Sequence, residues 1–256
     1  MLDRPIDDLV QNYYGSLCTE MYELLHPEAP EDELAFYLSY AERGRKILEP
    51  LCGSGRFLVP FLERGYDITG MDLSGEMLER LRRKAPEARA VQADITAYDP
   101  GETFDYIFIS SGSVSLFTDI ALCKAVLRRM GELLSPGGTF VFAVDTVAAR
   151  CPDDREEKVA VSVKTPEGLD LILKSRDRYD EATGTQFSPS VYELWRDGTL
   201  LRREPMDFQT HLYRFGEMEA YLREAGFSRV AVYSAFDKTP AVDDRSGMLL
   251  FECGKG

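Results

Sequence analysis

The chain has 256 residues, and its 44 acidic against 30 basic side chains give a formal net charge of −14 at neutral pH, with 44% hydrophobic residues. That balance argues against nucleic acid as a partner, because such binding rests on cations that release counterions from phosphates. No uninterrupted apolar stretch is long enough to span a bilayer, so no membrane association is expected, and the length suits one large α/β core with an insertion.

Leu9, Tyr13, Leu17 and Met21, then Leu34, Tyr37 and Leu38, recur at helical spacing on either side of the breaker-rich His26-Pro27-Glu28-Ala29-Pro30. They predict two helices within an N-terminal segment, 1–44. From 45 to 150, apolar runs of strand length alternate with helical stretches, the pattern of a parallel sheet with helical crossovers. One predicted helix starts at Phe57, tolerates Pro60 in its first turn and stops at Gly65. The next follows Ser74 as N-cap, and its basic end, Arg80-Leu81-Arg82-Arg83-Lys84, reads as a solvated face that complements the helix dipole. A third contains Leu122 to Met130.

Between 151 and 214 the period changes to two. Strands are expected at Val159–Val163, Leu171–Ser175, Val191–Trp195 and Thr210–Tyr213, with reversals at Pro166-Glu167-Gly168, Ala182-Thr183-Gly184 and Asp197-Gly198. This is an antiparallel insert, because 215–256 returns to the core pattern: a helix from Glu217 stopped by Gly226, then strands at Arg229–Tyr233 and Met248–Glu252.

The most informative segment is Glu49-Pro50-Leu51-Cys52-Gly53-Ser54-Gly55-Arg56, which follows the apolar pair Ile47-Leu48. Gly53 and Gly55 let the backbone turn and approach a ligand with no Cβ in the way. Asp72 ends the next apolar run, where an acid can grip two ribose hydroxyls, and Glu49 ends the first, where it can meet an amino group. Small Cys52 reads as a residue that fits the turn.

These features resemble the class I S-adenosylmethionine-dependent methyltransferases of small-molecule type, whose first motif is an acid, three residues, then Gly-x-Gly. Asp72-Leu73-Ser74-Gly75-Glu76-Met77-Leu78, Gln92-Ala93-Asp94-Ile95, Phe104-Asp105-Tyr106-Ile107-Phe108-Ile109 and Leu133-Leu134-Ser135-Pro136-Gly137-Gly138-Thr139-Phe140 are similar to later family segments. The resemblance runs from Lys46 to Asp145. It implies a Rossmann-like, doubly wound, mostly parallel seven-stranded sheet with the antiparallel β insert near the C-terminus. It implies S-adenosylmethionine as cofactor and S-adenosylhomocysteine as product. Glu49 would face the methionine amino end, Gly53 and Gly55 the cofactor backbone, and Asp72 the ribose. Leu73 and Met77 would face the adenine, whose amine and ring nitrogen would meet Asp94 and the Ile95 N–H. Leu51 stands where many members carry glycine, and a negative φ is expected there.

The acceptor side is less determined. Ser110, Ser111 and Gly112 end the fourth core strand, where the sheet edge would open on the methyl group, with Ser110 expected on the cofactor and Ser111 in the acceptor pocket, and the Asn/Asp-Pro-Pro-aromatic motif of enzymes that methylate nucleic-acid bases is missing. His211 is open to two readings, a substrate-binding or basic residue and a hydrogen-bonded structural histidine. Arg214 suits a carboxylate or a surface acid, and Trp195 with Tyr192 an aromatic wall or sheet core. Tyr13, beside the acceptor, and Tyr14, beside the cofactor, are lid candidates or packing aromatics. Neither histidine has neighbours that suggest a metal.

The charged N-terminal stretch 1–8 is unlike a signal peptide, and five cysteines without Cys-x-x-Cys spacing fit reduced thiols, so a cytoplasmic location is expected. Free strand edges in the insert allow a homodimer as well as a monomer. Competing functions are a non-catalytic module that binds the same cofactor and a nicotinamide-dependent oxidoreductase. The latter needs a glycine where Leu58 stands.

Overall fold

Ile47, Leu48 and the run Tyr106-Ile107-Phe108-Ile109 are almost fully buried. Continuous apolar strands of this kind belong to a parallel sheet covered on both faces. The computed structural model describes residues 10–255; the charged stretch 1–8 and Leu9 lie outside them. In chain order it has α1 (Ser16–Leu25), α2 (Glu31–Leu38), β1 (Lys46–Pro50), α3 (Leu58–Glu63), β2 (Asp67–Asp72), α4 (Gly75–Lys84) and β3 (Arg89–Gln92). Then come β4 (Phe104–Ile109), a 3-10 turn at Ser113–Leu116, α5 (Ile120–Leu133) and β5 (Leu134–Asp145). The insert holds β6 (Lys158–Lys164), β7 (Asp170–Ser175), β8 (Arg178–Asp180), β9 (Thr185–Phe187), β10 (Ser190–Arg196), β11 (Thr199–Met206) and β12 (Gln209–His211). Helix α6 (Glu217–Glu224) and strands β13 (Arg229–Tyr233) and β14 (Met248–Gly254) complete the chain.

The main sheet has seven strands in the order β13-β14-β5-β4-β1-β2-β3. Strands β1 to β5 are parallel, and β14 runs antiparallel to both β5 and β13. This is the doubly wound sheet that the sequence suggests. The chain leaves β1 toward β2 and β3, then crosses back to β4 and β5, so the order reverses between β1 and β4. A crevice opens at the carboxyl ends of the strands at such a point.

Two apolar layers hold the sheet. On one face Leu48, Ile109, Phe142 and Val144 pack with Val126, Leu127 and Met130 of α5 and Met218 and Leu222 of α6. On the other, Ile47, Phe108, Val141 and Ala143 pack with Phe36 and Tyr37 of α2, Leu58 and Phe61 of α3, and Leu78 and Leu81 of α4. Ser74 caps α4 as expected, its Oγ accepting from the Met77 N–H at 3.1 Å.

The chain divides into two compact units, one of residues 28–149 and 211–256, the other of the described part of 1–27 with 150–210. The N-terminal segment 1–44 is therefore not one piece. Helix α2 belongs to the large sheet, whereas α1 packs Leu17, Cys18 and Met21 against Leu171, Tyr192 and Met206 of the insert. Glu204 on β11 explains the placement of α1: it accepts from the Leu17 and Cys18 N–H groups at 3.1 and 3.3 Å, an anion on a helix N-terminus.

The insert forms two antiparallel sheets, β11-β10-β7-β6 and β12-β9-β8. Strands β8, β9 and β11 are additions to the four expected. The first two are only three residues long, and β11 carries Arg202, Arg203 and Glu204 in succession, which hides its alternation. The turn between β10 and β11 is where Asp197-Gly198 placed it, with φ of 47° and 78°, the two positive values of a tight hairpin.

Gly70 on β2 is a packing glycine, since a Cβ there would lie 2.5 Å from Leu58 Cδ1 and 2.7 Å from Cys52 Sγ. Gly70→Ala is expected to destabilise the protein by about 1–3 kcal/mol through overpacking. Urea denaturation of the two proteins measures this, and equal midpoints would contradict the packing.

Candidate functional site

The turn after β1 is built on positive φ angles. Leu51 has φ 58°, Gly53 53° and Gly55 83°. The expected negative φ at Leu51 is therefore wrong: the reversal demands a left-handed residue there, and leucine adopts it at a cost of about 1–2 kcal/mol. Packing of its side chain against the apolar layer on the α5 side offsets that strain.

The two glycines differ. A Cβ on Gly53 would have only the Met77 sulfur within 4 Å, at 3.8 Å, so the backbone there has open space before it. A Cβ on Gly55 would strike Leu81 and Val59, so that glycine lets the turn sit down on α3 and α4. Asp72 holds the turn from the next strand. Its Oδ2 accepts from the Gly53 N–H and its Oδ1 from the Ser74 N–H, both at 2.8 Å. Burial pushes its carboxyl up, against the opposing pull of these backbone N–H groups.

Glu49 is 1% exposed at the end of β1. Its Oε1 accepts from Ser110 Oγ at 3.3 Å, while Oε2 is buried with no hydrogen-bond partner. Burial pushes its carboxyl well above the usual carboxylate range, and the Asp72 and Glu33 charges add to that. A buried carboxyl with an orphaned oxygen fits a cationic group placed against it.

Ser111 has φ 58° and Gly112 φ 67°, so β4 also ends in a left-handed reversal. Helix α2 clasps that end: Glu33 Oε1 accepts from the Ser111 N–H at 2.8 Å, and Tyr37 OH donates to the Ile109 carbonyl at 3.2 Å. Arg56 donates to Ser111 Oγ at 3.3 Å and lies 3.7 Å from Glu33. The i, i+4 pair Glu33 and Tyr37 was legible as two polar atoms on an apolar helical face, a signal that the motif reading passed over.

Asp145 was also missed. It ends β5 on the same face as Val141 and Ala143, the face of Glu49 and Ser110. The backbone around it is fully engaged, its N–H donating to Ser115 Oγ at 2.8 Å and its carbonyl accepting from the Tyr213 N–H at 2.9 Å. Its half-buried carboxylate has no hydrogen-bond or ion-pair partner among the described residues, and burial alone pushes it up to about 6.

Among the adenine candidates, Leu73 is 45% exposed beside Asp72, and Met77 is buried beneath Gly53. Asp94 Oδ1 accepts from the Thr96 N–H and hydroxyl, both at 2.7 Å, and these bonds hold its carboxyl below the usual range. Ile95 is buried in the core. His211 is 4% exposed at the end of β12, with Nε2 2.8 Å from Glu217 Oε1 and Nδ1 buried without a partner. Burial pushes the Glu217 carboxyl up, but hydrogen bonds from His211, the Arg214 N–H and Tyr221 outweigh it and hold it low. An ionised Glu217 makes Nε2–H the donor and leaves Nδ1 as the acceptor.

The structure brings Glu49, Gly53, Asp72, Ser110 and Ser111 together at one strand edge, and the bridge between Thr146 and Tyr213 brings the 211–213 segment to the end of β5. Arg214 is exposed beside it. Tyr13, Tyr14 and Trp195 fall in the other unit. There Tyr14 meets Tyr22 edge to face at 6.2 Å, and Trp195 follows a β-bulge and donates its indole N–H to Glu193 at 3.0 Å.

A family model described as a methyltransferase domain matches residues 47–138. YqeM of Bacillus subtilis (strain 168), provisionally named a methyltransferase, is 29% identical over 218 residues, spanning 73% of this chain and 87% of its own. Residues 47–138 form a methyltransferase domain, on the fold of the S-adenosylmethionine-dependent methyltransferases. A dTDP-3-amino-3,4,6-trideoxy-alpha-D-glucopyranose N,N-dimethyltransferase of Streptomyces venezuelae is 25% identical over half of this methyltransferase and 49% of its own length. In fold, the sugar N-methyltransferase KedS8 from Streptoalloteichus sp ATCC 53650 superposes with a TM-score of 0.75 at 19% identity, covering 100% of this methyltransferase and 98% of KedS8.

The raised carboxyl of Asp145 carries a stability consequence. An acid at 3.8 when unfolded and about 6 when folded costs the folded state progressively as the pH rises from 3.8 to about 6, in full above that, and costs nothing below 3.8, where both states are protonated. Asp145→Asn is therefore expected to stabilise the methyltransferase by about 1–3 kcal/mol at pH 7.5, with the gain fading toward pH 4. Thermal melts across that range measure it. A variant less stable at pH 7.5 would mean that the carboxylate has a partner.

Proposed function

We propose that this methyltransferase transfers the methyl group of S-adenosylmethionine to a small-molecule acceptor by in-line displacement, leaving S-adenosylhomocysteine. Glu49 carries the reading, because its orphaned, buried oxygen suits the ammonium of the methionine end. The open face of Gly53 suits close approach, and Asp72 keeps lone pairs for ribose hydroxyls while it fixes the turn. Leu73, Met77, Asp94 and the Ile95 backbone would border the adenine.

The bound sulfonium supplies an activated methyl group, so alignment is the main task of the chain. Ser110, bonded to Glu49, would border the cofactor and Ser111 the acceptor, and His211 Nδ1 would take a proton where the acceptor sheds one. Arg214 is proposed as part of the outer wall of the same pocket. The Streptomyces venezuelae relative and KedS8, both named for action on sugars, support a small acceptor, as does the net charge of −14. No helix among the described residues is long and apolar enough to cross a membrane, and all five thiols are free. A cytoplasmic location, as a monomer or as a dimer through the insert, belongs to this reading.

Calorimetric titration with S-adenosylmethionine, S-adenosylhomocysteine and NADH tests it, with saturable binding of the first two alone expected. Glu49→Gln should weaken S-adenosylmethionine binding about tenfold or more while the melting temperature holds or rises, since the variant buries no charge. Because Glu49 is held above the usual range, binding of a cation should drive a proton off it, so the enthalpy should vary with the buffer at pH 7. Full affinity in a folded Glu49→Gln variant would remove the proposed ammonium contact.

A further inference from the structure

The row of acids at the sheet edge contains one carboxylate that the cofactor reading does not use. We propose that Asp145 binds a cationic amino group of the methyl acceptor, so that the acceptor is an amine; this rests on the methyltransferase reading of the crevice. Glu49, Ser110 and Asp145 end three adjacent strands, β1, β4 and β5, on one face of the sheet. The pairing of β4 with β5 ends at Ile109 and Phe142, and the left-handed turn that follows at Ser111 and Gly112 passes in front of Asp145. A Cβ on Gly112 would lie 3.1 Å from Asp145 Oδ1, so glycine keeps the ground in front of the carboxylate clear.

The groups around Asp145 leave it uncompensated. Ser115 Oγ is taken up by the Asp145 N–H, the paired residue on β14 is Met248, and Tyr213 meets the Asp145 carbonyl through its backbone while its hydroxyl pairs with Cys123. Of the described cations near this edge, Arg56 lies against Glu33 and Ser111, and Arg214, exposed beside the end of β5, forms no ion pair with Asp145. A half-buried carboxylate in this setting favours a ligand that brings its own positive charge and N–H donors. A carboxylate acceptor would be repelled, and a neutral hydroxyl would satisfy one oxygen without offsetting the charge.

Glu49 and Asp145 are two strands apart and, because Leu48 pairs with Ile107 and Phe108 with Val141, four residues apart along the strands, so their Cα atoms lie roughly 16 Å apart. An amino nitrogen, three carbons, a sulfur, its methyl and a nucleophile approaching at roughly 3–3.5 Å span roughly 10 Å, which leaves roughly 6 Å for the two acidic side chains and their hydrogen bonds. One carboxylate would thus hold the amino end of the methyl donor and the other the acceptor's ammonium, which sheds a proton to His211 Nδ1 before its neutral nitrogen forms the C–N bond to the methyl as the C–S bond breaks, leaving S-adenosylhomocysteine and a cationic methylamine at Asp145.

The test uses the full-length protein and three probes: S-adenosylhomocysteine, and two analogues in which nitrogen replaces sulfur and carries an aminoethyl or a hydroxyethyl arm. Titration calorimetry of the wild type should show the amino arm binding about tenfold tighter than the hydroxyl arm. In Asp145→Asn, which is expected to be the more stable protein, that ratio should fall to about twofold or less, with S-adenosylhomocysteine affinity changed by less than about twofold. Asp145→Glu should recover part of the preference. Equal binding of the two arms by the wild type, or a preference that survives in Asp145→Asn, would overturn the assignment. Failure of all three probes to bind the wild type would remove the cofactor reading, and the proposal with it.

Discussion

Burying carboxylates at the carboxyl edge of a parallel sheet is the constraint on which the rest of this structure depends. Glu49, Asp72 and Asp145 each close an apolar strand, and burial is the first reason that each carboxyl is pushed up. They are satisfied to different degrees. Asp72 is taken up by the backbone of its own neighbourhood, Glu49 is half satisfied by Ser110, and the Asp145 carboxylate has no partner among the described residues. That gradient separates a carboxylate that builds the turn from carboxylates that the fold leaves partly or wholly without a hydrogen-bond partner among the described residues.

The backbone concentrates its strain at the same edge. Leu51 after β1 and Ser111 after β4 are both left-handed without being glycine, and strained conformations of this kind persist only where the surroundings over-determine them. Here the surroundings are visible. Leu51 is held by core packing, and Ser111 is held through its N–H by Glu33 and through its hydroxyl by Arg56. Alignment of two reactants requires a rigid edge, and these contacts supply one.

Much of this was legible in the sequence. Apolar runs alternating with helical patterns gave the parallel core, and the spacing Glu49, Gly53, Gly55, Asp72 marked the turn and strand ends that the structure brings together. Asp145 ends an apolar run just as Glu49 and Asp72 do, yet no glycine pair or following motif drew attention to it. The left-handed Leu51 escaped because residue identity argues against that conformation, and only tertiary packing enforces it. Strands β8, β9 and β11 escaped because a three-residue strand has no period to read and a charged run conceals one. The split of the first 44 residues between two units rests on Glu204, about 190 residues away from the helix that it caps, and no local pattern carries that information.

The clasp between α2 and β4 has a mechanical meaning. Tyr37 and Glu33 lie one turn apart, and their bonds to the Ile109 carbonyl and the Ser111 N–H are buried or partly so. Lifting the helix would break both together and leave buried polar groups bare, at about 1–3 kcal/mol for each one. Helix α2 is therefore a fixed wall of the crevice, and any movement that admits a ligand has to belong to a different part of the chain.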